Sequence, residues 1–197
     1  MTLRLGILAL IRPILFMLAL VVLGACATAP RSTPEDVQRL ATEIRSLGPG
    51  IDPEEADRAA QIAYAYTAQL AQEYQITDPP LIHNAKVNKG LRPRGLCWHW
   101  AEDIERRLDQ EQFRTLEMHR AIANADNPFR IDHSTAIISR KGETMYDGVI
   151  LDPWRYGGVL FWSPLPEDTR YDWVPRETVL EKRRAEQYGA LLPYAGE

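Results

Sequence analysis

Arg94-Gly95-Leu96-Cys97-Trp98-His99-Trp100-Ala101-Glu102-Asp103-Ile104 sets one thiol at the start of a helix, and the rest of the chain reads outward from it. The stretch before it, from Asp78-Pro79-Pro80 to Gly90-Leu91-Arg92-Pro93-Arg94-Gly95, is dense in breakers and basic residues. No helix is expected to run through it, so a new one should begin near Leu96. From that point Cys97, Ala101, Ile104 and Leu108 recur at helical spacing, which puts the sulfur on the buried stripe but inside the first turn. Unpaired backbone N–H groups and the helix dipole make that end electropositive and favour a thiolate over a thiol.

With 197 residues, 45% of them hydrophobic, the chain is long enough for one globular domain with a proper core. A net charge of -4, with no basic cluster beyond Lys182-Arg183-Arg184, lacks the electrostatic footprint of a phosphate-backbone binder. Nucleic acid is therefore not an expected partner, and the short cluster reads as a solvated helix face.

The N-terminus reads as a targeting segment. Arg4 and Arg12 flank or interrupt an apolar stretch whose unbroken part, Ile14 to Ala25, is too short to span a membrane comfortably. It closes with Leu23-Gly24-Ala25-Cys26, which resembles the bacterial lipobox. That resemblance implies a lipoprotein signal peptide over 1–25 and acylation of Cys26. A tether and first helix follow over 26–50, and a single domain over 51–197. An uncleaved anchor starting at Leu3 is the alternative, and Arg12-Pro13 in its middle argues against it. Ala27 stands where inner-membrane lipoproteins often carry Asp, so the implied address is a periplasm-facing membrane, the outer one. Lipidation would leave Cys97 as the only thiol in an oxidising compartment, unable to form an internal bridge. Such a cysteine is either buried and inert or kept for its reactivity.

Along the chain, Thr33-Pro34-Glu35-Asp36 is a helix start with Thr33 as N-cap, and Gly48-Pro49-Gly50 ends that helix. Asp52-Pro53-Glu54-Glu55 opens a second, reaching about Tyr74. Its alanine-rich stripe of Ala56, Ala59, Ala60 and Ala63 suits close approach to the Cys97 helix. Strands are expected at about Thr115 to Ile122, at Ile131 to Ser139, from Thr144 to about Leu151, and at Val159-Leu160-Phe161-Trp162. A charged helix follows Pro175 and should stop at Gly189. Helices first and antiparallel strands after make an α+β domain.

A cysteine nucleophile needs a base and the base needs an orienting group. A hairpin turn centred between Lys141 and Gly142 would place His133 opposite Ile150 and Asp152 opposite Ile131. The two would then be diagonal neighbours on one face, within side-chain reach, provided the register is right.

Gly95-Leu96-Cys97-Trp98 at a helix start, Asp132-His133 opening a strand and Leu151-Asp152-Pro153 ending the next together resemble the transglutaminase-like branch of the papain-like cysteine hydrolases. The likeness covers roughly residues 52–162. It implies a Cys helix packed on an antiparallel sheet, with Cys97, His133 and Asp152 as the catalytic triad. A family feature that is missing is an aromatic two residues after the His, where this chain has Thr135.

The implied chemistry is acyl transfer from a peptide-like or protein amide, with water or an amine as acceptor and no cofactor or metal. The Cys97 N–H is one oxyanion donor by position. For the second, the resemblance offers Asn84 or Asn88, upstream of the cysteine, or a Trp, either Trp98 or Trp162. Bland alternatives stand beside this: Cys97 as an inert core residue, His133 as a structural histidine and Asp152-Pro153 as a turn opener. His83, His99 and His119 read as surface or hydrogen-bonded residues, since a Cys97/His99/His133 zinc site lacks ligand spacing. Trp154, Tyr156, Phe161, Trp162 and Trp173 would line a groove or simply fill the core. A non-catalytic binding lipoprotein of the same fold is the competing function.

Overall fold

The structure is a computed structural model that describes residues 32–191. The segment read as a signal peptide and the lipidation residue Cys26 lie outside the described residues. Helix α1 (Pro34–Ser46) starts as the sequence requires. Thr33 is extended, its hydroxyl accepts the Asp36 N–H, and Pro34 occupies the first helical position. Helix α2 (Pro53–Glu73) repeats the device with Asp52 as cap. Ala56, Ala59, Ala60 and Ala63 are buried along one side of α2, which packs against both α1 and the Cys97 helix. Leu40, Ala41 and Ile44 of α1 enter the same core, so the first helix is packed with the domain that the sequence sets from residue 51 onward.

A third helix corrects one expectation. The breaker-rich stretch does hold a helix, α3 (Pro80–Asn88), whose first helical position is Pro80. Proline breaks a helix interior but suits its first turn, where its missing N–H has no partner to lose. The Cys97 helix, α4 (Cys97–Asp109), then begins at the cysteine itself, with Leu96 extended before it. Cys97, Ala101, Ile104 and Leu108 are all buried, as their spacing predicts.

Five strands form one antiparallel sheet in the order β4-β3-β2-β1-β5: β1 (Leu116–Ala123), β2 (His133–Arg140), β3 (Val149–Asp152), β4 (Phe161–Pro164) and β5 (Val174–Pro175). The described residues are therefore α+β. Helices α1, α2 and α4 cover one face, burying Ala136, Ile138, Val149 and Leu151. The opposite face carries a smaller cluster of Ala121, Ala123, Ile137, Ile150, Met145 and Trp173. Helix α5 (Arg176–Leu191) closes the described chain, and it runs through Gly189 instead of stopping there.

The hairpin departs from the expected register in an instructive way. Met145–Asp147 forms a 3-10 turn, so β3 begins at Val149 and not Thr144. Ile150 faces Ile137 where His133 was expected, a slip of four residues. An even slip keeps every side chain on its face. Continued by one residue, the register sets Asp152 opposite Thr135, next but one to His133, so the two remain diagonal neighbours.

Candidate active site

The turn that delivers Cys97 is built by two histidines. Gly95 sits at φ +121, and a Cβ there would lie 2.4 Å from His83 Nε2. Only glycine fits both the conformation and the space. His83 Nε2 donates to the Arg94 carbonyl at 2.9 Å. The Gly95 and Leu96 N–H groups donate to His99 Nδ1, at 3.1 and 3.2 Å. His99 thus reaches back over the start of α4 and satisfies donors that Leu96 cannot cap. Burial first, and then the charge of Arg94, pushes His99 down to about 4, which keeps Nδ1 an acceptor at neutral pH. Trp100 Nε1 ties the far side by donating to the Gly95 carbonyl at 3.1 Å.

Cys97 comes from the helix-covered layer, whereas His133 and Asp152 belong to the other face; they meet at the β2 start. The Cys97 S–H points at the Asp132 carbonyl, 3.6 Å from Sγ. His133 is fully buried, and its Nε2 lies 2.7 Å from Asp152 Oδ2. Its Nδ1 is buried with no completed hydrogen bond. Burial pulls His133 down. The charge and hydrogen bond of Asp152, with a smaller contribution from Cys97, outweigh it and hold the imidazole at about 9. The structure therefore brings His133 and Asp152 into direct contact and sets the Cys97 sulfur against the backbone of the residue before His133.

Three aromatic rings hold the imidazole: Trp154, Tyr171 and Trp173, with centroids 4.6, 4.7 and 5.2 Å from it. Behind Asp152 stands Arg155, almost fully buried, which donates through Nε to Oδ2 at 3.0 Å and through its backbone N–H to Oδ1 at 3.2 Å. The same guanidinium forms a fork on Asp168, at 3.1 and 2.7 Å, and lies 3.8 Å over the Phe161 ring. Trp173 Nε1 closes the network on Asp168 at 2.9 Å. Sequence reasoning missed Arg155, Asp168 and Tyr171. The first carried a signal, since Asp152-Pro153-Trp154-Arg155 is a turn that brings residues three apart together; Asp168 and Tyr171 lie in a loop with none.

The oxyanion candidates are scattered. Asn84 is turned to Trp154, accepting its indole N–H through Oδ1 at 3.0 Å, so it supports a ring on His133. Asn88 is exposed at the end of α3. Trp98 follows Cys97 but is 45% exposed, its ring against His99 at 3.9 Å. Trp162 pairs with Leu151 on the helix-covered side, and its indole N–H is spent on the Tyr64 hydroxyl at 2.9 Å. That removes Trp162 as a donor.

Of the other aromatics, Trp154 and Trp173 are buried around His133, Phe161 lies under Arg155, and Tyr156 is exposed. His119 bonds the Ser139 hydroxyl at 2.7 Å. Thr135 donates to the Leu151 carbonyl at 3.0 Å, a cross-strand bond no aromatic could make.

No family model, curated protein or solved structure matches the chain.

Proposed function

We propose that this chain is a membrane-anchored, extracytoplasmic cysteine hydrolase or acyltransferase with a transglutaminase-like core, acting on peptide-like or protein amides. The observation that carries the reading is His133. Its Nε2 is held on a buried carboxylate, its Nδ1 is left without a partner, and the helix-start thiol lies against the carbonyl of the preceding residue, Asp132. Asp152 fixes the tautomer and sustains the imidazolium, and the imidazolium sustains a thiolate. The Cys97 sulfur attacks the amide carbonyl carbon, forming the S–C bond as negative charge moves to oxygen. His133 gives its proton to the leaving nitrogen as the C–N bond breaks. Water or an amine, deprotonated by His133, then takes the acyl group from the thioester and regenerates the thiolate. The N-terminal segment, by its lipobox likeness, supplies the periplasm-facing anchor at Cys26.

One observation favours the competing reading of a non-catalytic binding lipoprotein. Cys97 is 7% exposed and His133 is sealed, so turnover requires some opening that binding alone does not. Acyl trapping separates the two. Mixed with p-nitrophenyl acetate, the enzyme should release a burst of about one p-nitrophenolate per chain and gain one acetyl group on the Cys97 peptide. Cys97→Ser should show neither. Wild type without burst or acetyl adduct makes the binding reading the better one.

A further inference from the structure

A cavity of about 480 Å³ opens beside β1, between Glu105 of α4, Met118 and Arg120 of β1, Tyr146, and the Pro175-Arg176 junction of β5 with α5. That volume is within the range of small-molecule sites. One side chain in its wall is out of keeping with a merely solvated surface. The Arg120 side chain is only 10% exposed, yet its donors are largely unspent. Nη2 donates to the Trp98 carbonyl at 3.2 Å, and Nη1 is 3.8 Å from Glu105, beyond hydrogen-bond length. Nε is buried with no partner at all.

The anions nearby are committed elsewhere or held beyond hydrogen-bond length. Glu102 bonds Arg94 at 3.1 Å, and Glu177 bonds Arg176 at 2.6 Å. Glu105 is pushed up to about 6, chiefly by its own burial. Burial also lowers Arg120 itself, against the opposing pull of Glu105. A desolvated guanidinium with spare donors and a weak counter-ion is a standing cost, removed when an anion docks. A carboxylate matches its planar fork.

Position says which carboxylate. Arg120 holds the carbonyl of Trp98, the residue directly after Cys97. Arg120 therefore touches the first turn of the Cys97 helix, and the cavity that it walls opens onward along α4 to Glu105. We propose that Arg120 is a specificity residue, binding a carboxylate carried by the amide substrate that Cys97 attacks. This rests on the reading of Cys97 as nucleophile for its meaning, though not for its test.

Binding is measured first, by calorimetric titration of the folded chain with three probes. N-acetylglycine offers a terminal carboxylate, N-acetylaspartic acid α-amide a side-chain carboxylate, and N-acetylglycinamide none. At least one carboxylate probe should bind about tenfold or more tighter than the neutral one. Whichever binds tighter names the source. Arg120→Gln should abolish the preference, and Glu105→Gln, which removes the competing carboxylate while leaving the guanidinium in place, should tighten it. Equal binding of all three probes, a preference that survives Arg120→Gln, or weaker carboxylate binding in Glu105→Gln overturns the proposal. The second measurement is the ratio of Cys97 alkylation rates by iodoacetate and by iodoacetamide, in each of which the sulfur displaces iodide. Arg120→Gln should lower that ratio about tenfold, and an unchanged ratio counts against the site. Slow alkylation by both reagents would instead strike at the nucleophile reading, leaving the titration to decide the anion site.

Discussion

At Asp152 two cations share one oxygen: His133 Nε2 and Arg155 Nε both donate to Oδ2, at 2.7 and 3.0 Å. The second grip fixes that oxygen where it meets the imidazole. Arg155 in turn is held by Asp168, with both side chains 3% exposed, so the pair is desolvated as well as charged. Removing one member of such a pair strands the others. Arg155→Met is therefore expected to cost about 3–5 kcal/mol of folding stability, measured by urea unfolding near pH 7. Asp168→Asn, which keeps acceptor capacity, should cost less. A loss below about 1 kcal/mol in Arg155→Met would mean that the network is better solvated than its burial indicates.

Among the elements, the β2–β3 hairpin shows how the candidate triad stays together although the register was misread. The 3-10 turn at Met145–Asp147 delays the start of β3 to Val149, and Gly148 joins the two in close contact with β2. A Cβ at Gly148 would lie 2.6 Å from Ile137 Cγ2 and 2.8 Å from the Ile138 carbonyl. Gly148→Ala should thus destabilise by about 1–3 kcal/mol through overpacking, read as a lower urea midpoint. An unchanged midpoint would show that β3 can slide away at no cost.

Hydrophobic alternation made the strands legible and parity made the shared face of His133 and Asp152 legible. Turn length was not, because Thr144-Met145-Tyr146 alternates as a strand would. Likewise α3 was hidden by Pro79-Pro80, whose second proline starts the helix it was taken to forbid. Cys97 at the helix start needed only local signals, whereas Arg155 and Asp168 are partners by tertiary contact. The histidine cap was invisible for another reason: His99 does at the third helical position what Glu or Gln usually does.

At the scale of the whole molecule, the chain brings a helix-start thiol from one layer to the start of the strand that carries His133 on the other face of the sheet. Everything proposed for its function depends on what that meeting does to the sulfur. His133 is held at about 9, so the imidazolium persists from acid pH up to that point. A free thiol, with a pKa of about 8.5, is under about 1% thiolate at pH 6. The most direct measurement is the rate of Cys97 alkylation by iodoacetamide in the folded protein from pH 6 to 9. The account predicts a rate at pH 6 far above that of a model thiol peptide, slowed strongly by His133→Ala and less by Asp152→Asn. A wild-type rate that is slow at pH 6, climbs like that of an ordinary thiol and is unmoved by His133→Ala would contradict it, leaving Cys97 a packing residue.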